Sequence, residues 1–401
     1  MVANTFITKI EGHGDLAVDW RKEDVRLNIH EGERLFEGIL VGRTAEEAHW
    51  ITPRICGVCP IAHNLASLAA IEDAYGVRVN DTTTLLRRLL WCGQMIQSHV
   101  LHLFFLALPD YIGLDRGTEL AQKDPRSFAK ALALKELGDA IAHAVGGRNV
   151  HPTTTTVGGF HTLPTTRALE QLARALERTA RAAEWTVRTF AGLPYPELRV
   201  DLELVAQHGD RIVSANGKSS SVRSYKKQIN EELRAYSTAK FGTYRGRAML
   251  VGALARLTVL TDASSAPARA PTVDSKNPFH NNLAQAIEIQ QFHAEALRIT
   301  GELLRSHLDA TIAKPSAHPT RKGIGAIEAP RGGLYHEIHL NDAGIVTHAN
   351  IITPTVQNLT SIEESARALI AQTRGHAKAK RERLLRMLVR AYDPCITCSV
   401  H

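Results

Sequence analysis

Four of the chain's five cysteines stand in two Cys-x-x-Cys pairs, Cys56/Cys59 near the start and Cys395/Cys398 at the end. Each pair is followed by a histidine, His63 after Cys59 and His401 after Cys398. Thiolates are soft ligands. Four of them brought together suit zinc, an iron–sulfur cluster or another transition metal. The steps of three and four between Cys56, Cys59 and His63 let all three point the same way at a helix start. Pro60 fits a first helical position, so Cys59 falls at the cap, where unpaired backbone N–H groups favour the thiolate. At the other end, Asp393-Pro394 stops the last long helix, because the residue before proline is pushed out of helical geometry.

The bland reading is a structural zinc. Zinc ribbons separate their pairs by roughly 15–20 residues, whereas Cys56 and Cys395 are 339 apart. A zinc staple also serves small folds, and 401 residues bury an ample core. A thioredoxin-like motif needs a βαβ context that this sequence does not offer. An odd cysteine count and a start without a charged-then-apolar leader argue against a disulfide framework and for a cytoplasmic chain. Cys92 reads as a buried residue on a helix.

The flanking residues narrow the choice. Arg54-Ile55-Cys56-Gly57-Val58-Cys59-Pro60-Ile61-Ala62-His63 and Asp393-Pro394-Cys395-Ile396-Thr397-Cys398-Ser399-Val400-His401 resemble the two cysteine motifs of the nickel-iron hydrogenase large subunit. Glu11-Gly12-His13, Phe36-Glu37, His151-Pro152 with Gly158-Gly159-Phe160, Glu328-Ala329-Pro330-Arg331-Gly332, and Pro354-Thr355 with Asn358 are similar to further motifs of that family. The resemblance therefore spans nearly the whole chain.

It implies a Ni–Fe centre with one carbonyl and two cyanides on iron. Cys56 and Cys395 would be terminal nickel thiolates, and Cys59 and Cys398 would bridge the two metals. Glu11 would relay protons beside Cys395. Arg331 would sit over the metals as a fixed charge. Pro354 and Thr355 would shape the cyanide pocket, with Asp393 and His63 supporting the ligands. Glu37, the backbone of Ile351 and His401 would hold Mg2+ or a similar divalent cation. The implied activity is reversible heterolytic cleavage of dihydrogen. The implied partners are an iron–sulfur small subunit, further electron-transfer subunits, and a maturation protease acting after His401. The alternatives are a hydrogen-sensing regulatory hydrogenase and a non-catalytic relative of the quinone-site subunit of respiratory complex I; the latter lacks the cysteines. Gln97-Ser98-His99 stands where membrane-bound relatives carry His-Asp-His, which leans toward the soluble, bidirectional branch. His99 and His102 are one turn apart, and read as packed rather than as a metal pair.

These residues need a scaffold. Helical patterns run at about 82–107, 126–145, 165–193, 280–310 and 360–392, with apolar residues such as Leu169, Leu172 and Leu176 on one face. A further helix runs from Pro60 to Tyr75, stopped by Gly76. Short alternating runs lie at Phe6–Ile10, Leu16–Trp20 and Val25–Ile29, and residues 334–353 read as a hairpin about Asn341-Asp342-Ala343-Gly344. The expected fold is mainly α: a long-helix bundle with a small β-containing layer formed by the N-terminal strands and the late hairpin. Three regions are expected within one integrated unit. They are 1–50, a β-containing layer; 51–330, a helical body with loops at 147–164 and a polar, surface excursion at 207–224; and 331–401, carrying the hairpin, the C-terminal helix and the metal-binding tail.

Composition excludes other classes. With 44% hydrophobic and 22% charged residues the chain is an ordinary globular protein. The net charge of +7 is mild for this length, and 5% aromatic residues leave too few stacking platforms for a single-strand nucleic-acid binder. The most apolar run, Leu101–Leu108, is too short for a membrane span, so no direct membrane insertion is expected.

Overall fold

The computed structural model describes residues 2–260 and 271–400. Its centre is the helix Asp81–Val100, capped by the Asn80 side chain, which accepts from the Thr83 N–H at 2.8 Å. This helix runs on through a π-helical stretch, Leu101–Ala107, and a last segment, Leu108–Ile112. It packs between Pro125–Gly146 and Asn281–Arg305, and Thr166–Ala191 closes the bundle. Small residues set the closest contact: a Cβ on Gly138 would lie 2.8 Å from the carbonyl oxygen of Gly93. Leu169, Leu172 and Leu176 all face the bundle core, as their spacing requires. The helix Asp81–Ile112 is long and apolar enough to cross a membrane, but most of it is buried inside the protein.

The helix Pro60–Tyr75 starts at Pro60, with Cys59 as its N-cap, and ends on Gly76 in the left-handed region at φ 64°. The strand Lys322–Ala329 lies directly on it. A Cβ on Gly323 would fall 1.9 Å from the Ala70 carbonyl oxygen, and one on Gly325 2.0 Å from that of Ala66. Only glycine permits this approach, and it carries the following residues, Pro330 and Arg331, toward Cys56 and Cys59.

Several expectations change, and the first strand is Val2–Phe6 rather than Phe6–Ile10. The strands and the late hairpin do not share a layer. Val2–Phe6, Gly14–Asp19 and Asp24–Ile29 form one antiparallel sheet, whereas Gly332–Leu340 and Val346–Ile352 pair with Lys322–Ala329 in another. The first buries Leu16, Leu27 and Ile29 among residues of the C-terminal helices; the second packs on Pro60–Tyr75. The stretch 360–392 is two helices, Pro354–Gln372 and Lys378–Ala391, because Arg374-Gly375-His376 cannot sustain the turn between them. Residues 207–224 are no mere surface excursion. Glu203–His208, Arg211–Ser214 and Ser219–Ser221 are strands of a four-stranded sheet, and Val205, Ile212 and Val222 are buried. Glu203–His208 is buried almost throughout and Val222 lies just past the last of these strands, so no single alternation marks the segment in the sequence. Within 147–164, Thr155–Thr156 and Gly159–Phe160 pair as a short hairpin.

Candidate metal centre

The chain ends meet. The Sγ atoms of Cys56 and Cys395 are 3.4 Å apart, those of Cys59 and Cys398 3.5 Å, and those of Cys395 and Cys398 3.1 Å. All four sulfurs lie within 4.8 Å of one another and all four residues are buried. Neighbouring sulfurs act together with burial on their ionisation. Burial opposes ionisation of Cys56 and Cys395, but donation from neighbouring thiols, Cys395 foremost for Cys56 and Cys398 for Cys395, holds both below the usual thiol range. Cys59 and Cys398 are pushed well above it, chiefly by the Cys395 sulfur beside them. The backbone N–H groups of Val58 and Cys59 donate to Cys56 Sγ at 3.2 and 3.1 Å. The amides at this helix start therefore serve Cys56 rather than Cys59, contrary to the expectation from Pro60, because Cys59 itself occupies the cap and turns its sulfur toward Cys398.

Glu11 reaches this cluster through a local device. It forms a parallel bridge with Cys395, and the Ile396 N–H donates to its carbonyl at 3.0 Å. Gly12 follows at φ 82°, where a Cβ would lie 2.7 Å from that of Ile396. The Glu11 carboxylate accepts from the Thr397 N–H at 3.1 Å and from the Thr397 hydroxyl. Burial, then the charge of Cys395, pushes its pKa up to about 8.

Arg331 donates from Nε to the Asp393 carbonyl at 2.6 Å, from Nη2 to Asp393 Oδ1 at 2.8 Å, and from Nη1 to Ser98 Oγ at 3.4 Å. Burial opposes its charge, but Asp393 and the sulfurs of Cys395, Cys59 and Cys56 outweigh that and hold it protonated. Asp393 sits in the left-handed region at φ 52°, and its Oδ2 accepts from Gln285 at 3.0 Å. The Thr355 hydroxyl accepts from the Cys395 N–H at 3.0 Å, which leaves its own proton to donate; Pro354 opens that helix at its first position. His63 brings Nε2 within 3.8 Å of Cys398 Sγ and Nδ1 within 3.3 Å of His336 Nε2.

The structure thus gathers Cys56, Cys59, Cys395, Cys398, Glu11, His63, Arg331, Asp393 and Thr355. Glu37 and Ile351 meet separately: the Ile351 N–H donates to Glu37 Oε1 at 2.6 Å. His401, the third member expected there, lies outside the described residues. His99 and His102 do not share a ligand position, since His99 pairs with Glu288 at 2.9 Å and His102 is hydrogen-bonded to Gln285 at 2.6 Å and the Arg390 carbonyl at 2.7 Å. Cys92 is a core residue, its thiol pushed far up by burial. Sequence reasoning missed Thr397, which holds Glu11, and Thr353, whose hydroxyl donates to the Cys398 carbonyl at 3.0 Å. It also missed His336 and Gln285, whose partners are more than a hundred residues away in sequence.

Four buried soft donors, with Glu11 and Arg331 beside them, form a candidate transition-metal centre. The comparison with known families names the class. The model of the nickel-dependent hydrogenases matches residues 34–135 and 207–401. The chain belongs to the nickel-dependent hydrogenase family as a large subunit, and it is a hydrogenase. It is 35% identical to sulfhydrogenase 1 subunit alpha of Pyrococcus furiosus, over 98% of this chain and 96% of that one. It is 26% identical to the NAD-reducing hydrogenase HoxS subunit beta of Cupriavidus necator, over 98% and 93%. An NAD+-reducing [NiFe]-hydrogenase in the H2-reduced state has the same fold, with a TM-score of 0.87 at 24% identity, covering 100% of this chain and 99% of that one.

Proposed function

We propose that this chain is the dihydrogen-activating subunit of a soluble, heteromeric nickel-iron hydrogenase, in which Cys56 and Cys395 would be terminal nickel ligands, Cys59 and Cys398 would be ligands shared with iron, and the iron would carry one carbonyl and two cyanides. The donor set fits such a centre, because four buried sulfurs converge within 4.8 Å of one another. When bound, the centre polarises dihydrogen and accepts its electrons. The chain's own residues do the rest. Glu11 takes up the proton beside Cys395 and is held there by Thr397. Arg331, locked to Asp393, keeps a positive charge over the ligands without moving. Thr355 and Pro354 shape the iron's pocket, and His63 donates toward Cys398. Ser98, in contact with Arg331, supports the soluble, bidirectional branch, and the HoxS relative agrees with it.

The observation that carries this reading is the placement of Glu11 and Arg331 beside the convergent sulfurs. A zinc staple needs neither. Isolated anaerobically with its partner subunits, the protein should contain one nickel and one iron per chain and show infrared bands of metal-bound carbonyl and cyanide. Zinc alone, without those bands, sinks the reading.

Electrons must leave through another chain, because Cys92 is the one cysteine outside the centre and it is buried on a core helix. The partner proposed is an iron–sulfur small subunit, with further electron-transfer subunits beyond it. Leu35, Ile39 and Val41, exposed at 62%, 44% and 50%, supply an apolar surface for that docking. They adjoin Arg34, whose N–H donates to the Val400 carbonyl and so lies beside the cysteine-bearing turn. Glu37, the Ile351 backbone and His401 would hold Mg2+ or a similar cation, and a maturation protease would act after His401. The three regions work as one unit in the cytoplasm.

A further inference from the structure

We propose that the protein carries a second, solvent-facing site for a first-row transition cation of the zinc or nickel kind, formed by Glu337, His339 and His348. His339 and His348 are direct cross-strand partners in the sheet formed by Gly332–Leu340 and Val346–Ile352. Their rings are 4.7 Å apart. Glu337, two residues before His339, projects from the same face. One ligand atom from each of the three lies within 4.8 Å of the other two. An ion bound at about 2.0–2.2 Å from each needs them slightly closer, and the exposed His348 ring is free to swing in.

The site has a fixed floor and an exchangeable countercharge. Glu337 is 4% exposed, and Tyr225, itself buried and stacked on Tyr335, brings its hydroxyl to 3.1 Å from Glu337 Oε2. His339 Nε2 sits 2.6 Å from Glu337 Oε1. The carboxylate is otherwise balanced by Lys226 at 3.0 Å and Lys322 at 3.5 Å. Those side chains are 44% and 60% exposed, so both ammonium groups can return to water at little cost when a divalent cation takes their place. Two imidazoles and a carboxylate select zinc, nickel or copper over magnesium. The site is distinct from the Glu37–Ile351 pair. Asn350 and Tyr225 separate the two carboxylates: Asn350 Nδ2 donates to Glu37 at 3.2 Å, and its Oδ1 accepts from Tyr225 at 2.6 Å.

The test is equilibrium dialysis of the metal-loaded complex against Zn2+ in excess Mg2+, which keeps any magnesium-type site filled. The wild type should retain one zinc per chain more than the His339→Gln/His348→Gln double variant, with nickel and iron contents and hydrogenase activity in zinc-free buffer equal in both. The single His348→Gln variant, altered at an exposed position, should bind that zinc at least about tenfold more weakly. Equal zinc in wild type and double variant, or unchanged affinity in the single variant, overturns the proposal and leaves the cluster as a cross-strand ion-pair group.

Discussion

Arg256 should hold Arg331 in place although it touches no cysteine. It is 6% exposed and forks between two carboxylates, with Nε and Nη2 donating to Glu288 at 2.6 and 2.7 Å and Nη1 to Glu328 at 2.7 Å. It also donates to the Ala329 and Pro330 carbonyls, both at 2.9 Å, so it clamps the two residues that precede Arg331. Arg256→Met removes the charge and strands two buried carboxylates. Breaking a buried ion pair from one side costs about 3–5 kcal/mol. At an unfolding entropy of about 2.1 cal/mol/K per residue, that lowers the melting temperature of a chain this long by about 4–6 °C. The two carboxylates are not equivalent. Burial alone would raise Glu288, but Arg256 and His99 outweigh it and hold its pKa at about 2. For Glu328, burial wins and the pKa is raised. The Glu288 contribution is therefore present above its unfolded value of about 4.5 and disappears as pH falls toward about 2. In the variant this acid-sensitive step should fade, because the neutral form becomes the favoured one. Adding Glu288→Gln and Glu328→Gln to Arg256→Met should recover at least half the lost stability. With nickel content unchanged at 25 °C, dihydrogen-dependent dye reduction should still fall by about 10–100-fold, the scale of a displacement of about 1 Å at a reacting centre. Arg298→Met is the control, since Arg298 is 60% exposed and, among the described residues, its ion pair is with Glu302 on its own helix. If Arg256→Met melts within 1 °C of that control, on the order of an exposed pair's worth, and keeps full activity, the clamp is not a positioning device.

Other consequences are as direct. Glu11→Gln keeps an acceptor for the Thr397 N–H but cannot carry a proton, so activity should drop by about 10²–10⁴-fold with nickel and iron retained; a variant above a tenth of wild-type rate would remove Glu11 from the proton route. Cys398→Ser should abolish iron retention, read by elemental analysis, whereas Cys92→Ala should cost stability alone and leave both metals in place. Gly325→Ala puts a methyl group 2.0 Å from the Ala66 carbonyl oxygen and should force the strand off the helix, seen as loss of soluble complex.

The sequence was most legible where chemistry and local geometry coincide. Pro60 and Gly76 mark the ends of the helix that presents Cys59, and Asp393-Pro394 marks the break that frees Cys395, because proline and glycine act through their own backbone. Glu11 could be singled out through its motif, yet its means of attachment could not. The strand bridge to Cys395 and the hold by Thr397 join residues 384 and 386 positions apart, and no local pattern encodes such a pairing. The same limit explains the missed sheet around Val205 and Ile212. Its buried face is short, its partner strand Met249–Leu250 is parallel and distant, and its exposed face is serine, so the segment imitates a loop.

Arg331 shows how the two kinds of information combine. The motif supplies a guanidinium, but its charge would be costly at a buried site without compensation. The compensation comes from Asp393, the residue that breaks the last helix, in a left-handed conformation that turns both its carbonyl and its carboxylate toward Arg331. The break that releases the cysteine loop and the anchor that holds the cation over it are thus one residue. An Asp393→Asn substitution separates these duties, since asparagine tolerates the left-handed region and retains the carbonyl but not the charge. Its helix should end where it does now, while Arg331, left without its countercharge, should lose orientation. Unchanged metal content with an activity loss on the order of 10²-fold is the expected result, and loss of the metals together with the fold would show that the carboxylate instead holds the C-terminal turn itself.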